Sequence, residues 1–547
     1  MPSTPLSLSR PFIPGWYDLG PFVAECWLIG TLVAVLLVPF VRRKSNLACA
    51  AVAVLGMGGA LVSMLIVGVP AEQGGRLPLG GILVMDPFAL MWKALLLLTA
   101  IAVVMLWLAT SAAHVKEGDG PEFFVLVVGA TLGMSLMAST TNLLMLFMAV
   151  ELASLPSYVL AGFRKTHRPG AEAALKYVLF GAACSAIMVF GLSYLYGMFG
   201  TLDLRAIAAK VAAGEGSAAL LTVAVTGIIV GVGAKVSAAP LHFWCPDVFE
   251  GAGVEVAAFL SVASKGAALA LLLRVALTLA DAVGFAATPG TIWLAIALGS
   301  IGVLTMTWGN TAALAQTNVK RLLAYSSIAH AGYMLCALSL LVDGGARQVD
   351  PLTGTSAAGQ ALLFYLAVYV FMNVGAFAVA GVVARATGSE DLSAFAGLGR
   401  RSPVLAASML LCLLSLIGLP PLAGFMAKVN LWVALAASGG AWWWLVAAIA
   451  VNTVISLAYY ARVIKVMYLE RVGGGAGGQG GNTTAPGAFS GHPIGTALAV
   501  GSAGVLVLMF VLTGPLGRLM TDYAKLRGVD GGATPKRAAV VDAAAAR

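Results

Sequence analysis

Residues 142–162 read NLLMLFMAVELASLPSYVLAG, and within them only Glu151 carries a charge. About 20 apolar residues in a helix span the hydrocarbon core of a bilayer. If this stretch crosses a membrane, Glu151 falls near its midplane. Three further stretches repeat the pattern with a lysine. Lys235 lies in TGIIVGVGAKVSAAPLHFW, Lys265 in AAFLSVASKGAALALLL and Lys428 in LPPLAGFMAKVNLWVAL. A charge at that depth costs roughly 3 kcal/mol on insertion scales, so it is retained where it has a partner or a task. Two readings follow: an ion or proton path through a membrane, or structural ion pairs that lock helices together.

Composition supports the membrane premise. The chain has 547 residues, of which 60% are hydrophobic and only 10% charged, a balance that no soluble core of this size needs. The apolar runs follow one another without a polar break, so one integral domain in a lipid bilayer is expected. The net charge of +9 sits in short loops, as the positive-inside rule requires, which speaks against a nucleic-acid partner. Six cysteines are scattered singly with no metal or cluster spacing. No GxxxxGK[ST] is present, and Gly231-Val232-Gly233 lacks the third glycine of a dinucleotide site. The first twenty residues lack a basic-then-apolar signal pattern, so no cleavage is expected.

Windows of about 20 residues give some fourteen spans, beginning near Phe22, Leu47, Pro87, Pro121, Asn142, Ala171, Ser217, Val256, Thr291, Leu322, Gly359, Pro403, Ala441 and Pro493. Loops after odd-numbered spans hold most of the basic residues, among them Arg42, Arg164, Lys320, Arg400 and Lys465. That asymmetry places both termini away from the cytoplasm. Pro240 interrupts span seven five residues after Lys235, and Pro420 and Pro421 interrupt span twelve just before Lys428. A proline frees backbone groups that lipid cannot satisfy, so such helices line protein interiors or wet cavities. Two broken, lysine-bearing spans five spans apart suggest an internal five-helix repeat, and paired interrupted segments point to a transport site. The expected division is N-terminal helices over 22–116, a first repeat over 121–282, a second over 289–470, a flexible glycine-rich loop over 471–492, a last helix over 493–514 and a tail over 515–547.

In this layout Glu151 modulates Lys235, Lys265 is the central relay and Lys428 the exit-side group. Burial disfavours a lysine's charged form and a nearby carboxylate restores it, so a changing Glu–Lys separation would load or release a proton. Three accessory groups are weighed. Lys176 pairs with Glu151 or snorkels to the interface. His242 bridges Lys235 and Lys265 through water or is a satisfied core histidine. His330 joins an axial polar chain. Lys93, near Asp86, reads as interfacial, and Asp247 and Glu250 as loop residues. The chain shows no redox centre or ATP site, so work against an ion gradient must be driven from elsewhere.

The string Glu151-Leu152-Ala153-Ser154-Leu155-Pro156-Ser157-Tyr158 resembles the fifth-helix motif of the antiporter-like subunits of respiratory complex I. So do EAALKYVLFGA (172–182), AKVSAAPLHFWCPDVFEGA (234–252), SKGAALALLLR (264–274), QTNVKRLLAYSSIAHAGYML (316–335) and LSLIGLPPLAGFMAKVNLW (414–432). Together these cover roughly residues 120 to 470. The resemblance implies an all-α polytopic fold of about fourteen helices with two inverted five-helix repeats and two broken helices. It also implies a proton channel carried by Glu151, Lys235, Lys265 and Lys428 in the bacterial inner membrane. NADH, FMN, iron–sulfur clusters and quinone would belong to partner subunits, and the partners would be antiporter-like subunit M and the small membrane subunits. Within the family the chain resembles the N branch, since the M branch carries glutamate where Lys428 stands and the L branch continues into a long lateral helix. A Na+/H+ antiporter or membrane-bound hydrogenase subunit is the alternative.

Overall fold

The structure, a computed structural model, describes residues 15–42, 45–69, 78–110, 120–164, 167–282, 289–342, 357–470 and 492–523. The glycine-rich loop and most of the expected tail lie outside these. A short α1 (Trp16–Leu19) precedes five spans: α2 (Val23–Val41), α3 (Asn46–Val67), α4 (Pro87–Thr110), α5 (Gly120–Ser139) and α6 (Leu143–Ala161). The long α7 (Arg168–Phe199) leads to an amphipathic surface helix, α8 (Leu204–Ala212), and to α9 (Ala218–Val236). After a break come α10 (Trp244–Gly251) and α11 (Val254–Phe259), then a π turn over Leu260–Ser264 and α12 (Lys265–Ala282). The second half holds α13 (Pro289–Ala313), α14 (Val319–Val342), α15 (Ala357–Thr387), the short α16 (Leu398–Arg401), α17 (Pro403–Ile417), α18 (Ala423–Ala437) and α19 (Trp443–Leu469). Two helices, α20 (Pro493–Val511) and α21 (Thr513–Tyr523), close the described chain.

Among the described residues, 13 helical stretches are long and apolar enough to cross a membrane. The shorter α17 and α18 together make up one more interrupted crossing, so the fourteen expected spans are accounted for. Both expected breaks are present. α9 stops before Pro240, and α17 stops before Pro420 and Pro421. The π turn within span eight was not foreseen; such turns appear mostly as single insertions in α-helices, often at functional sites.

Burial sorts the helices into a centre and a rim. The window over Val254–Ala276 is 100% buried inside the bundle, and those over Val319–Val342 and Ala357–Thr387 are 94% buried, against 28% for Gly440–Leu469. A helix that is apolar all round belongs either in lipid or inside a protein. Here the lysine-bearing helix α12 and its neighbour α14 lie in the protein interior.

Two short bridges pin the ends of spans that stand five apart. Asn142 pairs with Asp203, and Asn318 pairs with Asp391. Each has the same backbone pattern: Leu143 N–H donates to Leu202 O and Leu204 N–H to Thr141 O, while Val319 N–H donates to Glu390 O and Leu392 N–H to Thr317 O. Spans five and ten thus begin with the same backbone device, although the residue letters around the two barely match.

Lys93 corrects the sequence reading. It is fully buried, not interfacial, and its partner is Glu25 at 2.7 Å, not Asp86. Ser135 Oγ also donates to Glu25 Oε1, at 2.5 Å. Asp86 instead accepts two hydrogen bonds from the Arg274 guanidinium, each 2.9 Å. The Glu25 pair is therefore a helix lock between α2, α4 and α5. Removing one partner of such a buried pair strands the other, at a cost of about 3–5 kcal/mol, whereas removing both is often neutral. Lys93→Met alone is expected to lower the thermal stability of the detergent-purified protein, and Glu25→Leu added to it should restore most of the loss. A thermal unfolding series on the two singles and the double checks this.

Candidate functional site

Lys235 occupies the last turn of α9. The helix ends there because Ser237 adopts left-handed backbone at φ 63° and Pro240 follows. The ammonium donates to the Tyr158 hydroxyl at 2.8 Å and lies 4.8 Å from the centre of that ring. Glu151 stands two turns earlier on the helix that carries Tyr158, and Ser185 Oγ donates to its Oε1 at 2.6 Å. Glu151 and Lys235 therefore do not meet as a direct ion pair. Each is held instead by a hydroxyl, Glu151 by Ser185 and Lys235 by Tyr158. Gly181 makes room for this arrangement, since a Cβ there would come within 2.1 Å of the Tyr158 hydroxyl oxygen.

A cavity of about 10 Å³ adjoins Lys235 and is lined also by Ser154, Ser157, Tyr177 and Ser264. That is room for about one water, and Met134, Met137, Val150 and Ala153 complete its wall. Ser264 ends the π turn and Lys265 begins α12. Lys265 is fully buried, and its ammonium donates to Ser327 Oγ at 2.6 Å and lies 5.7 Å from the Phe249 ring centre.

From Ser327 onward, α14 supplies the groups. Ser327, His330 and Tyr333 recur every third residue and so share one face of the helix. His330 Nδ1 shares a hydrogen bond with the Tyr365 hydroxyl at 2.7 Å, and its ring lies 5.6 Å from Tyr333 and 5.3 Å from Tyr369. The Tyr333 ring in turn lies 4.9 Å from the Lys428 ammonium.

Lys428 belongs to α18 but reaches back across the break. Its ammonium donates to Ile417 O, the final carbonyl of α17, at 2.8 Å, with Thr453 Oγ1 at 3.5 Å. The last carbonyls of a helix have no partner within it and form the negative end of its dipole. A cation needs such a partner when water is absent. Gly418 closes the turn at φ 85°, and a Cβ there would come 2.8 Å from Lys428 Cδ. The C-terminal end of α17 is thus presented to Lys428, whereas Lys235, in the last turn of α9, turns to Tyr158.

Glu151 and Lys235 are each held by a hydroxyl, Lys265 meets Ser327 on the face of α14 that also carries His330 and Tyr333, and Lys428 lies against Tyr333. Two further sequence candidates have other contacts. Lys176 is 46% exposed and pairs with Glu172 at 2.7 Å and Asp247 at 2.8 Å, not with Glu151. His242 makes ring contacts with Phe243 and Trp308, and its buried Nδ1 has no hydrogen-bond partner among the described residues. Among the described residues it makes no direct hydrogen bond to Lys235 or Lys265. Asp247 and Glu250 lie on α10, where both meet Arg321. Sequence reasoning missed Tyr158, Ser185, Ser327 and Tyr333. The three-residue spacing of Ser327, His330 and Tyr333 was a readable signal for part of that set.

Comparison with known proteins gives a consistent picture. The family model described as NADH:quinone oxidoreductase/Mrp antiporter, TM, matches residues 140–456. NADH-quinone oxidoreductase subunit N of Anaeromyxobacter sp. (strain Fw109-5) is 41% identical over 461 residues, covering 81% of this chain and 85% of the relative. The subunit N of Granulibacter bethesdensis is 37% identical and covers 90% and 95%. A chain in the structure of respiratory complex I from Thermus thermophilus with bound aureothin superposes with a TM-score of 0.69 at 33% identity, covering 91% of this chain and 99% of that one. A chain of the Mrp complex from Dietzia sp. shares the fold at a TM-score of 0.72 and 19% identity, covering 92% and 97%.

Gly418 gives a structural test of the lysine cradle. Gly418→Ala forces a side chain into left-handed backbone against Lys428 and is expected to destabilise the protein by about 1–3 kcal/mol. Gly440→Ala, where nothing lies within 4 Å of the added Cβ, should change little. Thermal unfolding of the two purified variants compares them.

Proposed function

The chain belongs to the family of NADH:quinone oxidoreductase and Mrp antiporter membrane subunits, and we propose that it is the proton-translocating subunit N of an NADH–quinone oxidoreductase. The interior line of Glu151, Lys235, Lys265, His330 and Lys428 carries this reading. Relatives named subunit N match at about 40% identity over most of the chain, whereas the likeness to an antiporter complex is one of fold. The complex I reading is therefore preferred to the antiporter one.

In this reading the chain does no redox chemistry. NADH, FMN, iron–sulfur clusters and quinone act in partner subunits, and the neighbours in the membrane are antiporter-like subunit M and the small membrane subunits. The protein crosses a bacterial inner membrane with both termini on the periplasmic side. The first five-helix repeat, over 121–282, receives the proton at Lys235 and Lys265, and the second, over 289–470, releases it from Lys428. Moving one charge against 100 mV takes about 2.3 kcal/mol. That work comes from the partner subunits, transmitted as changes in the charge state of Glu151 and Lys235.

Each residue has a definite part. Glu151 biases the protonation of Lys235 through the Ser185 and Tyr158 hydroxyls. The water-sized cavity passes the proton from Lys235 to Lys265 by way of Ser264. Ser327, His330 and Tyr333 carry it along α14, and Lys428 gives it up on the far side of the break.

Replacing Lys235 or Lys428 with methionine keeps the bulk of the side chain and removes the proton carrier. Both variants are expected to assemble into the complex and to lose most NADH-driven acidification of inverted membrane vesicles. Tyr158→Phe should give an intermediate loss. Full acidification in both lysine variants, with assembly intact, overturns the relay and leaves the ion-lock reading.

A further inference from the structure

A second and larger cavity lies away from the polar line. It measures about 70 Å³, and its wall is built entirely of leucine, isoleucine, valine and alanine side chains. Leu272 of α12, Leu298 of α13 and Leu338 of α14 form its depth, and Ile207 of the amphipathic α8 lies at its roof. Leu221 and Val225 of α9 face Leu294 of α13 across its mouth. These two helices pack only weakly on each other; α9 packs chiefly on α7 and α13 chiefly on α14. Leu221, Val225 and Leu294 are themselves partly exposed, and Val223, Ile292 and Trp293 on the same two helices are exposed. The cavity therefore reaches the outer surface of the chain and carries no side chain that would hold water.

We propose that this cavity takes the terminal methylenes of one phospholipid acyl chain, inserted laterally between α9 and α13. Apolar cavities stay dry and accept apolar guests. A guest here gains dispersion contacts with walls that otherwise face a void. The hydrocarbon of the surrounding leaflet is the apolar material at the mouth. The site stands on the cavity alone.

Its consequence rests on the relay reading. The cavity touches α9 at Ile228 and Ile229, about two turns before Lys235, and α12 at Leu272, two turns after Lys265. Under the proposed orientation it occupies the periplasmic half of the first repeat. An acyl chain there excludes water from the short route between these lysines and the periplasm. Protons held at Lys235 and Lys265 are then left with the sideways route along α14 toward Lys428.

The test uses the intact complex in membranes doped with a phospholipid that carries a diazirine near the end of one acyl chain. After illumination, labelled residues are mapped by mass spectrometry. Labelling of Leu272 and Leu338, which the outer surface does not reach, is expected alongside the lipid-facing Val223. Leu298→Trp, which fills the cavity, should abolish the interior labels and leave Val223 labelled; Val225→Phe, which narrows the mouth, is the second variant if the first does not assemble. Labels confined to Val223 and its exposed neighbours in the unaltered complex overturn the proposal, as do interior labels that persist in an assembled blocking variant. A diazirine on the quinone tail that labels Leu272 and Leu338 while the phospholipid probe does not also overturns it. None of these outcomes depends on proton pumping, so failure of the lipid site and failure of the relay are distinguishable.

Discussion

An ammonium group in hydrocarbon must find oxygen atoms, and in lipid the intact helix has none to give. Every carbonyl within an unbroken helix is already bonded to an amide four residues on. The protein resolves this with side-chain hydroxyls at Lys235 and Lys265, and at Lys428 by interrupting a helix. Breaking α17 at Gly418 frees the Ile417 carbonyl, and Lys428 takes it. Breaking α9 leaves Lys235 at the negative end of a helix, with Tyr158 as its hydroxyl partner. At α17 the break and the lysine are thus one device, whereas at α9 the Gly233 and Ala234 carbonyls are met by the Ala238 and Ser237 amides and the Trp244 indole.

The same constraint explains where the line runs. Lys265 and Ser327 lie on the two interior helices α12 and α14, screened from lipid on all sides. A chain of hydroxyls, an imidazole and phenols then fills the space between fixed charges. The bridge geometry adds a symmetry to this. Glu151 stands nine residues after Asn142, as Ser327 does after Asn318. The position that carries a carboxylate beside Lys235 in the first half thus carries a neutral hydroxyl bound to Lys265 in the second. On the proposed relay, this difference between the halves is what gives the line a direction.

Much of this was legible in the residues. All fourteen spans were readable because twenty apolar residues in a row have one physical meaning in lipid. The breaks were readable because proline has no amide hydrogen to give. Partners were harder. Lys93 looked interfacial because it lies six residues into its span, but Glu25, which meets it, is 68 positions away on another helix. Lys176 looked a neighbour of Glu151 by depth, yet its face of α7 turns toward Asp247. Depth in the membrane is a property of sequence position, whereas pairing depends on the rotation of each helix about its axis. Weak amphipathicity leaves that rotation unwritten, since helices apolar on every side carry no stripe to orient them.

The central claim is that the two halves communicate through the Ser327–His330–Tyr333 face of α14. His330 is the midpoint of that face and touches neither end lysine by a hydrogen bond. The most direct measurement is the number of protons moved per NADH oxidised by inverted vesicles carrying His330→Leu. The account predicts intact assembly, continued NADH oxidation and fewer protons per NADH. An unchanged ratio in the assembled complex would contradict it.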